Sequence, residues 1–249
     1  MLFRSAKVEA WGYSKQDARA RLGQVKVNAE RGSVRASGPS QWVSGLFGNG
    51  PGWTVSYELF VPSRQDLTLH SVNGGLHVQD VRGAMNLDTV NGGIDLARVS
   101  GHVEGKTVNG GVHVRLSGRK WEGEELSVHT VNGGVTVEIP DAYNASVSAQ
   151  TVNGGVQVRL SGRKWVGEEL NVHSVNGGVT VEIPEAYNAS VSAQSVNGGV
   201  SSDFPGATIT KSGPFGVGPK TLEQRLGEGG APIYLDTVNG SVRVQRKTA

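Results

Sequence analysis

The side chains able to do chemistry recur at fixed intervals. His77 and His113 stand two repeats apart with Asp95 on the repeat between them, and His70, His129 and His173 recur in a second register. Equivalent positions on stacked strands lie about 4.8 Å apart, so a His–Asp–His column has a spacing compatible with metal ligation. Polar columns on an outer strand face are more often simply solvated. Gln157 stands where the next copy would place His, so no metal and no cofactor is expected. Asp80, Asp88 and Asp95 supply acids of the kind that polysaccharide-cleaving β-helices use, but no Arg recurs beside them. The chain has no G-x-S-x-G, no HExxH and no phosphate loop, and with no Cys it has no thiol nucleophile. Its Gly-Gly units lack the Asp of the calcium-binding nonapeptide. No catalytic residue is assigned, and a non-enzymatic protein is expected.

The most regular column is amide. Val-Asn-Gly-Gly, or Val-Asn-Gly-Ser in the last copy, places Asn73, Asn91, Asn109, Asn132, Asn153, Asn176, Asn197 and Asn239 at steps of 18, 18, 23, 21, 23, 21 and 42 residues. Ser or Thr precedes the Val every time. A structural ladder is expected, with amides bonded at interior corners to the backbone and to the next Asn. The functional alternative is a Thr-x-Asn array facing a flat ligand such as ice or a crystalline polymer. It requires Thr and Asn both outward, with Val inward. Trp121 and Trp165, in the repeated Arg-Lys-Trp bumps, and Tyr143 and Tyr187 on other corners are candidate ligand contacts for sugars or a partner. The alternative for the Trp pair is a lid on the flank.

Strands and corners must carry these columns. From Asn73 the 18-residue steps split into halves of nine: NGGLHVQDV, RGAMNLDTV, NGGIDLARV, SGHVEGKTV. Positions four, six and nine are apolar, as in Leu76, Val78 and Val81 or Met85, Leu87 and Val90. Alternation over positions four to six predicts a strand with one buried face. The Gly pair predicts a corner. Two halves make one coil, and the longer steps insert residues only at corners. Helices are excluded, because Asn-Gly-Gly every 18 to 23 residues would interrupt them.

Residues 107–150 and 151–194 differ only at His113/Gln157, Glu122/Val166, Ser127/Asn171, Thr130/Ser174 and Asp141/Glu185. This block was duplicated recently, by nature or in a laboratory, and a stack of coils tolerates such an insertion. The ends depart from the repeat. Residues 14–23 read as a short helix with Ser14 as N-cap. Residues 24–36 and 53–61 read as strands joined by a Gly-rich loop, with Trp42, Phe47 and Trp53 as cap packing. One domain over 1–249 is expected: an N-terminal cap and first strands at 1–63, regular coils at 64–205, a long loop or hairpin at 206–229 folded over the C-terminal end, and a final coil at 230–249.

Composition agrees with a β stack. The 249 residues include 37 Gly, 6% are aromatic, and Lys+Arg 24 against Asp+Glu 22 gives a net charge of +2. That balance argues against nucleic acid or an anionic membrane as partner. No apolar run is long enough to span a membrane, and the opening MLFRSAKVEAWGY has no h-region, so no signal peptide is expected in this chain.

The repeated T/S-V-N-G-G-[VIL]-x-[VL] units, the phrase Val137-Glu138-Ile139-Pro140 followed by Asn144-Ala145-Ser146-Val147, and the closing Tyr234-Leu235-Asp236-Thr237-Val238-Asn239-Gly240 resemble the bacterial adhesin-like β-solenoid domains of otherwise unknown function. The resemblance covers roughly residues 7–244. It implies an all-β fold, a single parallel β-solenoid (β-helix) with coils of about 18 residues, and a secreted, cell-surface or periplasmic location. The expected role is a rigid surface scaffold or adhesin with a cell-surface or polysaccharide ligand. The alternatives are a filament or homo-oligomer built through the terminal coils, whose strand edges are exposed, and a carbohydrate-active β-helix enzyme.

Overall fold

The computed structural model describes residues 2–11, 13–30, 33–38, 52–116, 125–140, 144–164, 167–212 and 218–247. They form two compact units, Met1–Pro62 and Ser63–Ala249. The boundary between them falls where the repeat frame begins.

In the first unit, Leu2–Trp11 pairs antiparallel with Gly52–Phe60, and Lys26–Glu30 forms a hairpin with Ser33–Ser37. The helix spans Lys15–Gln24, capped by the Ser14 hydroxyl, which accepts from the Asp17 N–H at 3.1 Å. The strand expected at 53–61 is present at 52–60 and pairs with the N-terminal segment, whereas the single strand expected over 24–36 is two strands that pair with each other.

The second unit is a parallel two-sheet β-solenoid of eight coils among the described residues. Each coil has a long strand on one sheet, an Asn-Gly-Gly or, in the C-terminal coil, Asn-Gly-Ser corner, and a short strand on the other. Numbered along the stack, coil 1 is Leu67–Asn73 with Leu76–Gln79, coil 2 Met85–Asn91 with Ile94–Ala97, and coil 3 His102–Asn109 with Val112–Arg115. Coil 4 is Glu125–Asn132 with Val135–Ile139, coil 5 Ser146–Asn153 with Val156–Leu160, and coil 6 Leu170–Asn176 with Val179–Ile183. The pairing is in register throughout, so Leu126 sits between Val103 and Val147, and Val137 between Val114 and Val158. Inward residues such as Leu87, Leu96, Leu126, Val137 and Leu170 are wholly buried. Truncating a buried Leu of this kind to Ala typically costs about 2–5 kcal/mol.

The top of the stack departs from chain order. The coil after coil 6 in space is the C-terminal one, Pro232–Asn239 with Val242–Arg246; the coil that follows coil 6 in sequence, Ala189–Asn197 with Val200–Ser202, lies one step further on. These are coils 7 and 8. The segment at 230–249 was expected to close the frame, and it is instead inserted inside it. The frame permits this because every rung presents the same inward pattern: Ile233, Leu235 and Thr237 fit between Leu170, Val172, Ser174 on one side and Val191, Ala193, Ser195 on the other. The excess residues before it form the hairpin Thr208–Lys211 and Lys220–Leu226, which runs antiparallel along coil 8. Buried Gln224 fixes the hairpin by donating to the carbonyls of Phe204 and Pro205 and accepting from the Ser202 hydroxyl.

The phase of the two strands explains which residues point inward. In the short-strand half, the strand ends and Asp80 and Arg98 take positive φ values of 58° and 53°. This resets the alternation and returns Val81 and Val99 to the core. In the long-strand half the alternation simply continues, so Thr89 follows Met85 and Leu87 inward while Val90 faces out, 40% exposed. The Val of the repeat was expected to be buried; it lies outside in every copy where the strand runs on, reaching 65% exposure at Val72.

Candidate functional site

The corner is built from three adjacent columns. Innermost are the hydroxyls. Thr89 donates to the Gly74 carbonyl, Thr107 to Gly92, Thr130 to Gly110, Thr151 to Gly133, Ser174 to Gly154, Thr237 to Gly177 and Ser195 to Gly240, all at 2.8–3.0 Å. Each of these hydroxyls is buried, and each satisfies a carbonyl of the coil below. Sequence reasoning missed this role. Its signal was the unbroken Ser/Thr before every Val, a donor requirement that Val itself would fail.

Next are the corner glycines. A Cβ on Gly110 would lie 2.1 Å from the Gly92 carbonyl oxygen, and one on Gly177 1.8 Å from that of Gly154. Backbone packs on backbone here, and no side chain fits. The second glycine is less constrained: a Cβ on Gly134 would meet the Gly155 oxygen at 3.4 Å. The chain itself carries Ser241 at that place in coil 7.

Outermost is the amide ladder. Asn91 donates to Asn73, Asn109 to Asn91, Asn132 to Asn109, Asn153 to Asn132, Asn176 to Asn153, Asn239 to Asn176 and Asn197 to Asn239, each Nδ2 to Oδ1 at 2.8–2.9 Å. All eight amides are joined in one line that follows the spatial order of the coils. The ladder was expected at interior corners. Every one of its side chains is exposed, because Thr takes the interior place and Asn lies two residues on, past the outward Val. The same phase rules out the Thr-x-Asn array: Thr faces in and Val out, the reverse of what a flat-ligand face requires.

The histidine registers are real columns. His77, Asp95 and His113 are direct neighbours on the short sheet. His77 Nδ1 is 3.6 Å from Asp95 Oδ2, and His113 Nε2 accepts from Arg115 Nε at 2.7 Å. On the long sheet His70, Asp88, Lys106, His129, Gln150, His173 and Asp236 follow one another, with His173 Nδ1 2.6 Å from Asp236 Oδ1. Among the described residues no group of three metal-binding side chains converges. The acids pair with cations: Arg98 binds Asp80 through two 2.6 Å hydrogen bonds that hold its carboxyl below the usual range. Arg159 bridges Glu182 and Glu138, and the attraction of Glu182 is the first cause that raises the pKa of Arg159.

Of the aromatic corners, Trp121, Trp165 and Tyr143 lie outside the described residues. Tyr187 is only 3% exposed, so it packs inside the connector before coil 8 and offers no ring to a ligand. What the corner does offer is a shallow open trough of ≈570 Å3 running along the axis across coils 1 to 4. Gly75, Gly93, Gly111 and Gly134 line it together with the column of His77, Asp95, His113 and Thr136, and Leu76, Ile94 and Val112 contribute between them. No helix of the described residues is long and apolar enough to cross a membrane.

The family described as Toastrack DUF4097 matches residues 7–169. No curated protein and no solved structure matches the chain.

Proposed function

The chain belongs to the Toastrack family of unknown function, and on that premise we propose that its solenoid is a non-enzymatic recognition scaffold, an adhesion module for an extended polysaccharide outside the cytoplasm. The observation that carries this reading is the trough. It runs along the solenoid axis, each of coils 1 to 4 lines it with a glycine, and one polar side chain per coil, His77, Asp95, His113 and Thr136, follows at the coil spacing of about 4.8 Å. A surface that offers one polar group at each coil suits a ligand that is itself a repeated unit. The rigid ladders on the same corner support it, because a pre-formed site loses little entropy on binding.

The test is binding of linear neutral polysaccharides by affinity electrophoresis, with a reducing-sugar assay run on the same mixtures. Retardation by polymer but not by the matching monosaccharide, lost in Thr136→Trp, is expected. Release of new reducing ends would instead favour the enzyme. Filament growth through the terminal coils finds less support, since the antiparallel strand Lys220–Leu226 covers the long-sheet edge of coil 8.

A further inference from the structure

Coil 7 occupies a slot whose two walls are complementary to each other. The long strand of coil 6, Leu170–Asn176, repeats that of coil 4 except for Asn171 and Ser174, and the long strand of coil 8 repeats that of coil 5 except for Ser195. Coils 4 and 5 stack directly, Leu126 on Val147, Val128 on Ala149 and Thr130 on Thr151. Coils 6 and 8 carry the same inward residues, Leu170, Val172 and Ser174 against Val191, Ala193 and Ser195, yet coil 7 separates them. The connectors repeat as well. In sequence, residues 140–146 lie between coils 4 and 5, which are neighbours, and residues 184–190 between coils 6 and 8, which are not, and the two stretches differ only at Asp141 and Glu185. One interface thus exists in this molecule both closed and held open.

The open form is clasped at both ends of coil 7 by the connector. Glu185 accepts from Arg246 Nη1 at 2.9 Å where the coil ends, and Asn188 Oδ1 accepts from the Glu228 N–H at 3.0 Å just before it begins. Residues 227–231, Gly-Glu-Gly-Gly-Ala, form the hinge. Gly227 and Gly229 have φ of 54° and 82°, a tight turn that glycine leaves without steric cost. Extended, five residues reach about 17 Å.

We propose that residues 232–246 are a donor coil that two copies of this chain exchange, the slot between coils 6 and 8 of each copy accepting the coil of the other. An interior coil that leaves a solenoid ordinarily abandons two interfaces. Here the slot closes behind it with the pairing already seen between coils 4 and 5, which restores one of them and lowers the barrier to exchange. The incoming coil of a second copy is identical to the one that left, so every rung contact is recovered, as in domain swapping.

The chain has no Cys, so the test can place single thiols. Asn171 and Tyr234 are direct cross-strand partners on the outer face, within disulfide reach when the coil is seated. A full-length chain carrying Asn171→Cys is co-refolded with one carrying Tyr234→Cys at high protein concentration, then oxidised. The expected result is a reducible heterodimer at least tenfold more abundant than with Thr68→Cys, an exposed position in the same column on coil 1. The double variant in one chain reports that the coil still seats. Intrachain locking of the double variant with no excess of heterodimer over the Thr68→Cys control would overturn the proposal. Light scattering gives a second readout: Gly229→Pro, which cannot hold the tight turn, is expected to raise the dimer fraction, and a purely monomeric Gly229→Pro that still unfolds cooperatively would also overturn it.

Discussion

The hydroxyl of Thr130 donates to the carbonyl oxygen of Gly110 at 2.8 Å, across the join between coils 3 and 4, with Thr130 wholly buried. Replacing Thr130 by Val keeps the shape and removes the donor. The orphaned carbonyl is expected to cost about 1–3 kcal/mol. Thr130→Ser should be nearly neutral, since Ser174 and Ser195 do the same work in coils 6 and 8. Urea denaturation of the two variants checks the pair.

Gly110→Ala and Gly134→Ser separate the two corner glycines. The first puts a methyl 2.1 Å from a backbone oxygen that cannot move without shifting the coil below. It should lower the melting temperature strongly or prevent folding. The second reproduces Ser241 and should melt within a few degrees of the parent by circular dichroism.

Asn153 is bonded to Asn132 on one side and Asn176 on the other, in the open. Water replaces those bonds in Asn153→Ala, so the loss is expected near or below 1 kcal/mol, smaller than for Thr130→Val. Thr136→Ala, on the outer face, should stay within about ±0.5 kcal/mol. A common denaturant midpoint for the Asn153 and Thr130 variants would contradict this order.

Asp80 titrates below the ordinary aspartate range because Arg98 hydrogen-bonds its charged form. A carboxyl depressed on folding stabilises the fold above its unfolded pKa, and that contribution fades as pH falls through the folded value. Arg98→Gln should return the Asp80 titration, followed by carboxyl NMR, to the normal range. It should also remove this share of the acid-side pH dependence, which shows as a small loss of stability at neutral pH and none below the folded pKa of Asp80, small because the pair is solvated.

Deleting residues 151–194 joins Gln150 to Ser195 in frame and leaves 249 − 44 = 205 residues. The connector at 140–146 then takes the place of its near-copy at 184–190, and the C-terminal coil is expected to insert above coil 4. Unchanged circular dichroism per residue and one cooperative transition are the expected outcome; a molten or two-step unfolding contradicts modular stacking.

The coil frame was legible because Gly92, Gly110, Gly133 and their equivalents have no alternative where backbone meets backbone. The orientation of Thr89 and Val90 was not. Hydropathy favours burying Val, but a strand that runs on without a break assigns the interior by parity, and parity depends on the positive φ at Asp80 and Arg98, which no apolar pattern announces. The place of coil 7 was equally hidden. Val191 accepts Ile233 as readily as Val147 accepts Leu126, so inward residues specify a rung without specifying which one. The duplicated corners drew attention to Tyr187 as a ligand contact, yet an aromatic ring on a connector has apolar surface of its own to bury.

The seven amide bonds of the ladder all point the same way: each Nδ2 faces the coil below and each Oδ1 the coil above. Their dipoles add head to tail instead of cancelling. The corner therefore carries an axial polarity, electropositive toward Asn73 and electronegative toward Asn197, in the sense that aligned peptide units polarise a helix. Two such molecules lying side by side at their corners attract when antiparallel and repel when parallel.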